Sequence, residues 1–167
     1  PGPAGGSNEP LRGKKRELHE GGIRVPAFIH WPGKLHPGKF AAPIHAVDWM
    51  PTLCGLAGYR AAADLKWDGR DIWPLLIGKA APTPRQLYWA GPKFAAGAVR
   101  DGDWKLILPD KKNKGRPELF NLAADPFEKA NLAEKEPERV ATLTALLKKL
   151  SARDRDAQVD PAEDRTD

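Results

Sequence analysis

The dipeptide Asp101-Gly102 constrains this chain more than any other feature. It sits in the run GAVRDGDWKLIL, between Ala98-Val99 and Trp104-Lys105-Leu106-Ile107-Leu108. A two-residue loop of this kind needs backbone conformations that Gly accepts readily, and it joins antiparallel strands. RQLYWAG upstream and ELFNL downstream supply two more strand candidates, the second after the exposed turn KKNKGRP. Pro137 is suited to the first position of a helix, where its missing N–H is not needed. Val140, Leu143, Leu146, Leu147 and Leu150 then recur as one apolar stripe. Residues 85–150 therefore predict a small antiparallel sheet packed by a C-terminal helix.

The first half is poorer in regular elements. Residues 1–22 are rich in Gly, Pro and charge and read as loop. Ile23 to Trp31 (IRVPAFIHW) alternates as a strand does, and Pro26 suggests an edge position or a bulge. Asp48 to Ala57 (DWMPTLCGLA) predicts a helix with Asp48 as N-cap, Met50, Leu53, Cys54 and Ala57 on one face, and Gly58 as its stop. One strand and one helix within residues 1–80 cannot bury both faces of the strand, so this region needs a further layer. After Leu150 the stretch SARDRDAQVDPAEDRTD (151–167) has high charge and no periodicity, and predicts a disordered tail. The opening PGPAGGSNEP reads like the interior of a longer protein.

Composition narrows the function classes. Of 167 residues, 41% are apolar and 29% charged, which fits a globular chain rather than a disordered one. No apolar run approaches the roughly 20 residues a membrane helix requires. The net charge of +5 permits an anionic partner, although the positive residues are spread along the chain. Cys54 is the only cysteine, so neither an internal disulfide nor a Cys-based zinc site can form. None of the four histidines (His19, His30, His36, His45) has H-x-x-x-H spacing. Asp68, Asp71, Asp101 and Asp103 are explained mostly by turns, and the six tryptophans sit among apolar runs rather than forming a platform for bases. Nucleic acid and membrane are therefore not expected partners.

The stretch with most chemical promise is LRGKKRELHEGGIRVPAFIHWPG, Leu11 to Gly33. Gly13 and Gly21-Gly22 permit tight backbone turns around the cations Lys14, Lys15 and Arg16. A loop held at both ends can aim one Lys inward at a tetrahedral oxyanion while its neighbours stay solvated. Glu20 can pair with a cation or accept from turn amides, and His19 lies close enough in sequence to meet a substrate. On spacing alone, an ordinary solvated basic loop is the favoured reading.

Beyond spacing, this stretch resembles the sulfatase family, enzymes that depend on formylglycine and calcium and have an alkaline-phosphatase-like α/β fold. That family shows L-R-G-x-K-x-x-x-[WY]-E-G-G-[IV]-R followed by a strand ending in W-P-G. Leu11, Arg12, Gly13, Lys15, Glu20, Gly21, Gly22, Ile23 and Arg24 match it. In order along the chain, VDWMPTLCGLAG, WDGRDIWPLLIG, AVRDGDWKLIL and ELFNLAADPFEKANLA are similar to four later family segments. The resemblance implies the C-terminal part of a sulfatase. Residues 1–80 would be the end of the large α/β domain, with active-site loop 1–22, strand 23–31 and helix 48–57. Residues 85–150 would be the small C-terminal subdomain. It further implies that Lys15 binds the sulfate group of a sulfate ester and that His19, in place of the family's aromatic residue, helps recognise the leaving group.

The departures are as informative. Nothing here matches the [CS]-x-P-x-R segment that gives formylglycine, and the family's calcium-binding carboxylates lie earlier in its sequence. No residue of this chain is therefore expected to hold calcium or become formylglycine. The chain alone is expected to be inactive and to need the N-terminal part of the enzyme or a partner chain. Two alternatives stay open: a non-catalytic basic module for sulfated or other anionic polymers, and part of a related phosphoester or phosphonate hydrolase. The resemblance favours a periplasmic or secreted setting without fixing it.

Overall fold

A computed structural model describes residues 6–60, 67–91, 96–109 and 115–153. Most of the 151–167 tail, part of KKNKGRP and the first five residues lie outside that set. In chain order the elements are α1 (Glu20–Ile23), a 3-10 turn (Ala46–Asp48), α2 (Trp49–Leu56), α3 (Trp73–Leu76), β1 (Gln86–Ala90), β2 (Gly97–Asp101), β3 (Trp104–Leu108), β4 (Glu118–Asn121) and α4 (Pro137–Ser151). They fall into two compact units, Pro26–Arg85 and the combination of Pro1–Val25 with Gln86–Asp167.

The second unit is built on the predicted sheet, a four-stranded antiparallel meander in the order β1-β2-β3-β4. The Asp101-Gly102 turn closes β2 onto β3, with Gly102 at φ 58° and Asp101 opposite Trp104. Side chains alternate across the pleat, so Val99, Leu106 and Leu119 share one face. Leu143 and Leu147 of α4 cover that face, flanked by Val140, Leu146 and Leu150. Gly97 lets the helix come close, since a Cβ there would sit 3.2 Å from Leu147 Cδ1. Arg139 caps the packing, its guanidinium 4.1 Å from the Trp104 ring centroid.

The opposite face carries Ala98, Ile107 and Phe120 and is not solvated. Leu18 of the opening segment packs on it. By compactness the described residues of the opening segment up to Val25 group with the sheet, from which about sixty residues of chain separate them, and not with residues 26–85.

The Pro26–Arg85 unit is organised around one acid. Asp48 is fully buried. Its carboxylate accepts from His45 N–H (2.8 Å) and Arg70 N–H (3.1 Å), and Arg85 grips it with two guanidinium nitrogens, Nη2 at 2.9 Å from Oδ1. Thr52 Oγ1 donates to Asp48 O (2.7 Å) and accepts from Ile72 N–H (3.0 Å). The segments DWMPT and WDGRDIW are thereby locked together. Asp48 does not cap α2 as expected: its side chain turns back to the 3-10 turn, where His45 is the N-cap. The reason is competition, because a bidentate Arg outbids a single first-turn amide.

Burial alone would raise the Asp48 pKa. The Arg85 hydrogen bond, the His45 and Arg70 amides and the Arg85 charge outweigh burial and hold it below the ordinary value of 3.8. A carboxylate whose pKa is depressed on folding contributes stability above its unfolded pKa and loses it as pH falls through the folded value. We expect the urea midpoint of the chain to fall as pH drops below about 4, and an Asp48→Asn variant to be less stable at neutral pH with a flatter acid limb. Equal acid slopes for the two proteins, read by tryptophan fluorescence, would remove this role from Asp48.

The strand expected at Ile23–Trp31 is absent. Ile23 ends α1, and no described residue pairs with residues 24–31. A strand needs a neighbour to take its N–H and C=O groups, and the described chain offers none here. Phe28 is 93% exposed, and Ile29 and Trp31 are also open. On α2, Met50 and Leu53 of the expected apolar face are likewise exposed rather than packed.

Candidate anion-binding site

The loop from Arg12 to Glu20 is shaped by hydrogen bonds that only this pattern of glycines allows. Glu17 N–H donates to Lys14 O (2.9 Å), closing a tight turn with Lys15 and Arg16 at its tip. Arg16 takes φ 76°, a left-handed conformation that costs a non-glycine residue free energy. Gly21 N–H donates to Arg12 O (2.7 Å). A Cβ on Gly21 would strike the carbonyls of Arg12 and Gly13, and one on Gly22 those of Glu17 and Lys14. The Glu-Gly-Gly run is thus a close crossing of α1 over its own loop.

Charges divide by burial. Lys14 is 3.9 Å from Glu17, while Lys15 and Arg16 have no ion-pair partner among the described residues. All three cations are exposed and none faces the interior of this unit. The residue that turns inward is Glu20. Lys105 Nζ on β3 lies 2.8 Å from Glu20 Oε1 and 2.8 Å from Glu128 Oε1. Lys105 and Glu128 are fully buried and Glu20 is 6% exposed. The contact with Glu128 lacks hydrogen-bond angles and is an ion pair only. Glu128 Oε2 accepts Glu20 N–H at 2.6 Å. The nearby Arg100 is held below its usual pKa by burial, with the Glu20 and Asp103 charges pulling the other way and Arg24 adding to the lowering.

His19 is mostly buried. Its Nε2 lies 3.3 Å from Glu118 Oε1, and its ring is tilted against Phe120 with centroids 6.2 Å apart. Arg12 Nη1 reaches Glu118 Oε2 (2.8 Å) and Glu128 O (3.2 Å). An open groove of about 670 Å³ is bordered by Arg12, Arg16, His19, Arg116 and Glu118 among others, and Lys15 is not on it. The loop brings Lys15 and His19 near each other in sequence, but Lys15 does not line the groove that His19 borders.

Among the described residues no three His, Cys, Asp or Glu side chains cluster as a metal site. Calcium takes six to eight oxygen ligands, and this donor set does not fit it. Cys54 Sγ lies 3.9 Å from Met50 Sδ on α2, in a TLCGL context that does not fit a formylglycine precursor. Spacing alone did not single out Lys105 or Glu128. The available signal was their place in W-K-L and D-P-x-E, two of the segments that follow family pattern.

Comparison with known proteins places the chain in a family. The family described as N-sulphoglucosamine sulphohydrolase, C-terminal, matches residues 13–156. Steryl-sulfatase of Mus musculus is 33% identical, with 96% of this chain aligned to 30% of that protein. N-acetylgalactosamine-6-O-sulfatase of Bacteroides thetaiotaomicron is 29% identical over 85% of this chain and 30% of its own length. Among solved structures, Ps i-CgsB in complex with k-i-k-neocarrahexaose superposes with a TM-score of 0.74 at 30% identity, covering 87% of this chain and 32% of that one. A structure from work on glycosaminoglycan metabolism by Bacteroides thetaiotaomicron gives a TM-score of 0.75 at 29% identity, with 86% and 32% covered. The chain therefore spans about a third of the length of these relatives. It belongs to the sulfatase family and corresponds to the family's C-terminal portion, a small antiparallel sheet packed by a helix within an alkaline-phosphatase-like α/β fold.

Proposed function

We propose that this chain is the C-terminal part of an enzyme that hydrolyses sulfate esters and that it supplies Lys15 as a sulfate-binding group. The observation that carries the reading is an exposed ammonium with no ion-pair partner among the described residues, at the tip of a turn braced by Gly21 and Gly22. A solvated basic loop has no need of a strained Arg16 or of glycines that bring two backbones into contact. A ligand-facing loop does, since preorganisation lowers the cost of binding. His19 contributes through the groove it borders, as a support for the leaving group, its ring held by Glu118 at 3.3 Å from Nε2.

In this mechanism Lys15 holds a sulfate oxygen and offsets charge as the S–O bond breaks. Formylglycine as nucleophile and calcium as Lewis acid belong to the remainder of the enzyme. The chain alone is inactive, and the exposed Phe28, Met50 and Leu53 mark surfaces that the remainder would cover. The test is to assay the complete enzyme with an aryl sulfate and with the matching aryl phosphate. Release of inorganic sulfate with poor turnover of the phosphate is the expected result. The reverse preference would assign the chain to a phosphoester hydrolase, and no turnover of either would favour a binding module.

A further inference from the structure

Both ends of the Lys15 loop are tied to the same residue. At its start, Arg12 Nη1 donates to the Glu128 carbonyl (3.2 Å). At its end, Glu20 N–H donates to the Glu128 carboxylate (2.6 Å). Glu128 is fully buried and itself sits at φ 56°, a conformation costly for Glu that presents its carbonyl and carboxylate to the two ends of one loop. Lys105 offsets one of the two carboxylate charges from β3, in contact with Glu128 and Glu20. Asp125 fixes the segment before it, its Oδ2 accepting Ala130 N–H (2.9 Å) and its carbonyl accepting Glu128 N–H (3.2 Å).

We propose that Glu128, with Lys105, is a positioning residue for anion binding, an anchor that sets where the Lys15 ammonium stands. A surface loop of this length would be held well enough by its own turn hydrogen bonds. Burying two carboxylates and an ammonium is costly unless the geometry they impose has a use. Here the imposed geometry is the separation and direction of the two chain segments that carry the Lys14–Glu17 turn. The inference rests on the sulfate-binding reading of Lys15, but its first readout does not.

Amide hydrogen exchange of the chain is measured for Glu128→Ala and Glu128→Gln. Glutamine keeps an oxygen that can accept Glu20 N–H, whereas alanine removes it. We expect residues 14–20 to exchange about tenfold faster in Glu128→Ala, with β2 and β3 amides unchanged, and Glu128→Gln to restore most protection. In the complete enzyme, competitive inhibition by inorganic sulfate should weaken about tenfold in Glu128→Ala and recover in Glu128→Gln. If Glu128→Ala also loosens β2 and β3, Arg12→Gln replaces it, since Arg12 is partly exposed and its loss spares the core. Unchanged exchange of residues 14–20 would overturn the anchor. Faster exchange with unaltered sulfate inhibition would overturn its positioning role. Sulfate inhibition that survives Lys15→Ala would instead defeat the reading of Lys15, leaving exchange alone to decide the anchor.

Discussion

Lys15→Ala should lower kcat/KM of the complete enzyme for an aryl sulfate by about 10²–10³-fold, the usual cost of losing one preorganised donor to a developing anion. Stability should stay within about 0.5 kcal/mol, because an exposed side chain with no ion-pair partner among the described residues leaves nothing unsatisfied when it goes. Lys14→Ala is the internal control. Lys14 is equally cationic but already faces Glu17 at 3.9 Å, so its loss should change kcat/KM by no more than about threefold. A generic basic loop would make the two variants alike, each weakening binding a little and more so at low salt. Lys15→Arg should recover only part of the loss, since a planar fork does not replace a compact point charge at a tetrahedral group. Equal effects of Lys14→Ala and Lys15→Ala would remove the special role of position 15.

What could be read from the sequence was local. Asp101-Gly102 fixed a hairpin because a two-residue turn leaves few choices, and the α4 stripe named its buried residues because period alone decides which side packs. The strand expected at Ile23–Trp31 failed for the opposite reason, since alternation records a preference whose fulfilment needs a second strand. Asp48 was misplaced as a cap because its real partners, Arg70 and Arg85, lie 22 and 37 residues away. Lys105 was the harder case. In β3 it alternates with Trp104 and Leu106, a pattern that normally puts polar residues in water. Here the second face of the sheet is covered by the opening segment, 85 residues earlier than Lys105 at Glu20. Nothing in the local pattern can announce such a cover. The motif segments did carry the information, in that E-G-G, W-K-L and D-P-x-E meet in one buried cluster.

That cluster makes the second large prediction one of stability. Lys105→Met should destabilise the chain by about 3–5 kcal/mol, the range for removing one partner of a buried ion pair. Methionine fills the volume, so a cavity is not the cause. Glu20 and Glu128 would be left facing each other without a cation between them, two negative charges where the native cluster has one in excess. Arg100 offsets Glu20 only at a distance, its own guanidinium being hydrogen-bonded to Gly102 O at 2.7 Å. The double variant Glu20→Gln/Lys105→Met returns the cluster to one excess negative charge and should recover about half of the loss. It should not recover all of it, because Glu128 would remain buried without its ion pair while still accepting the Glu20 amide. Urea unfolding followed by circular dichroism gives both numbers, with an unchanged slope confirming that the same surface is exposed. If Lys105→Met costs under about 1 kcal/mol, water must reach the carboxylates in solution. The three charges would then be spectators on the sheet, and the loop that carries Lys15 would have to owe its shape to Gly21 and Gly22 alone.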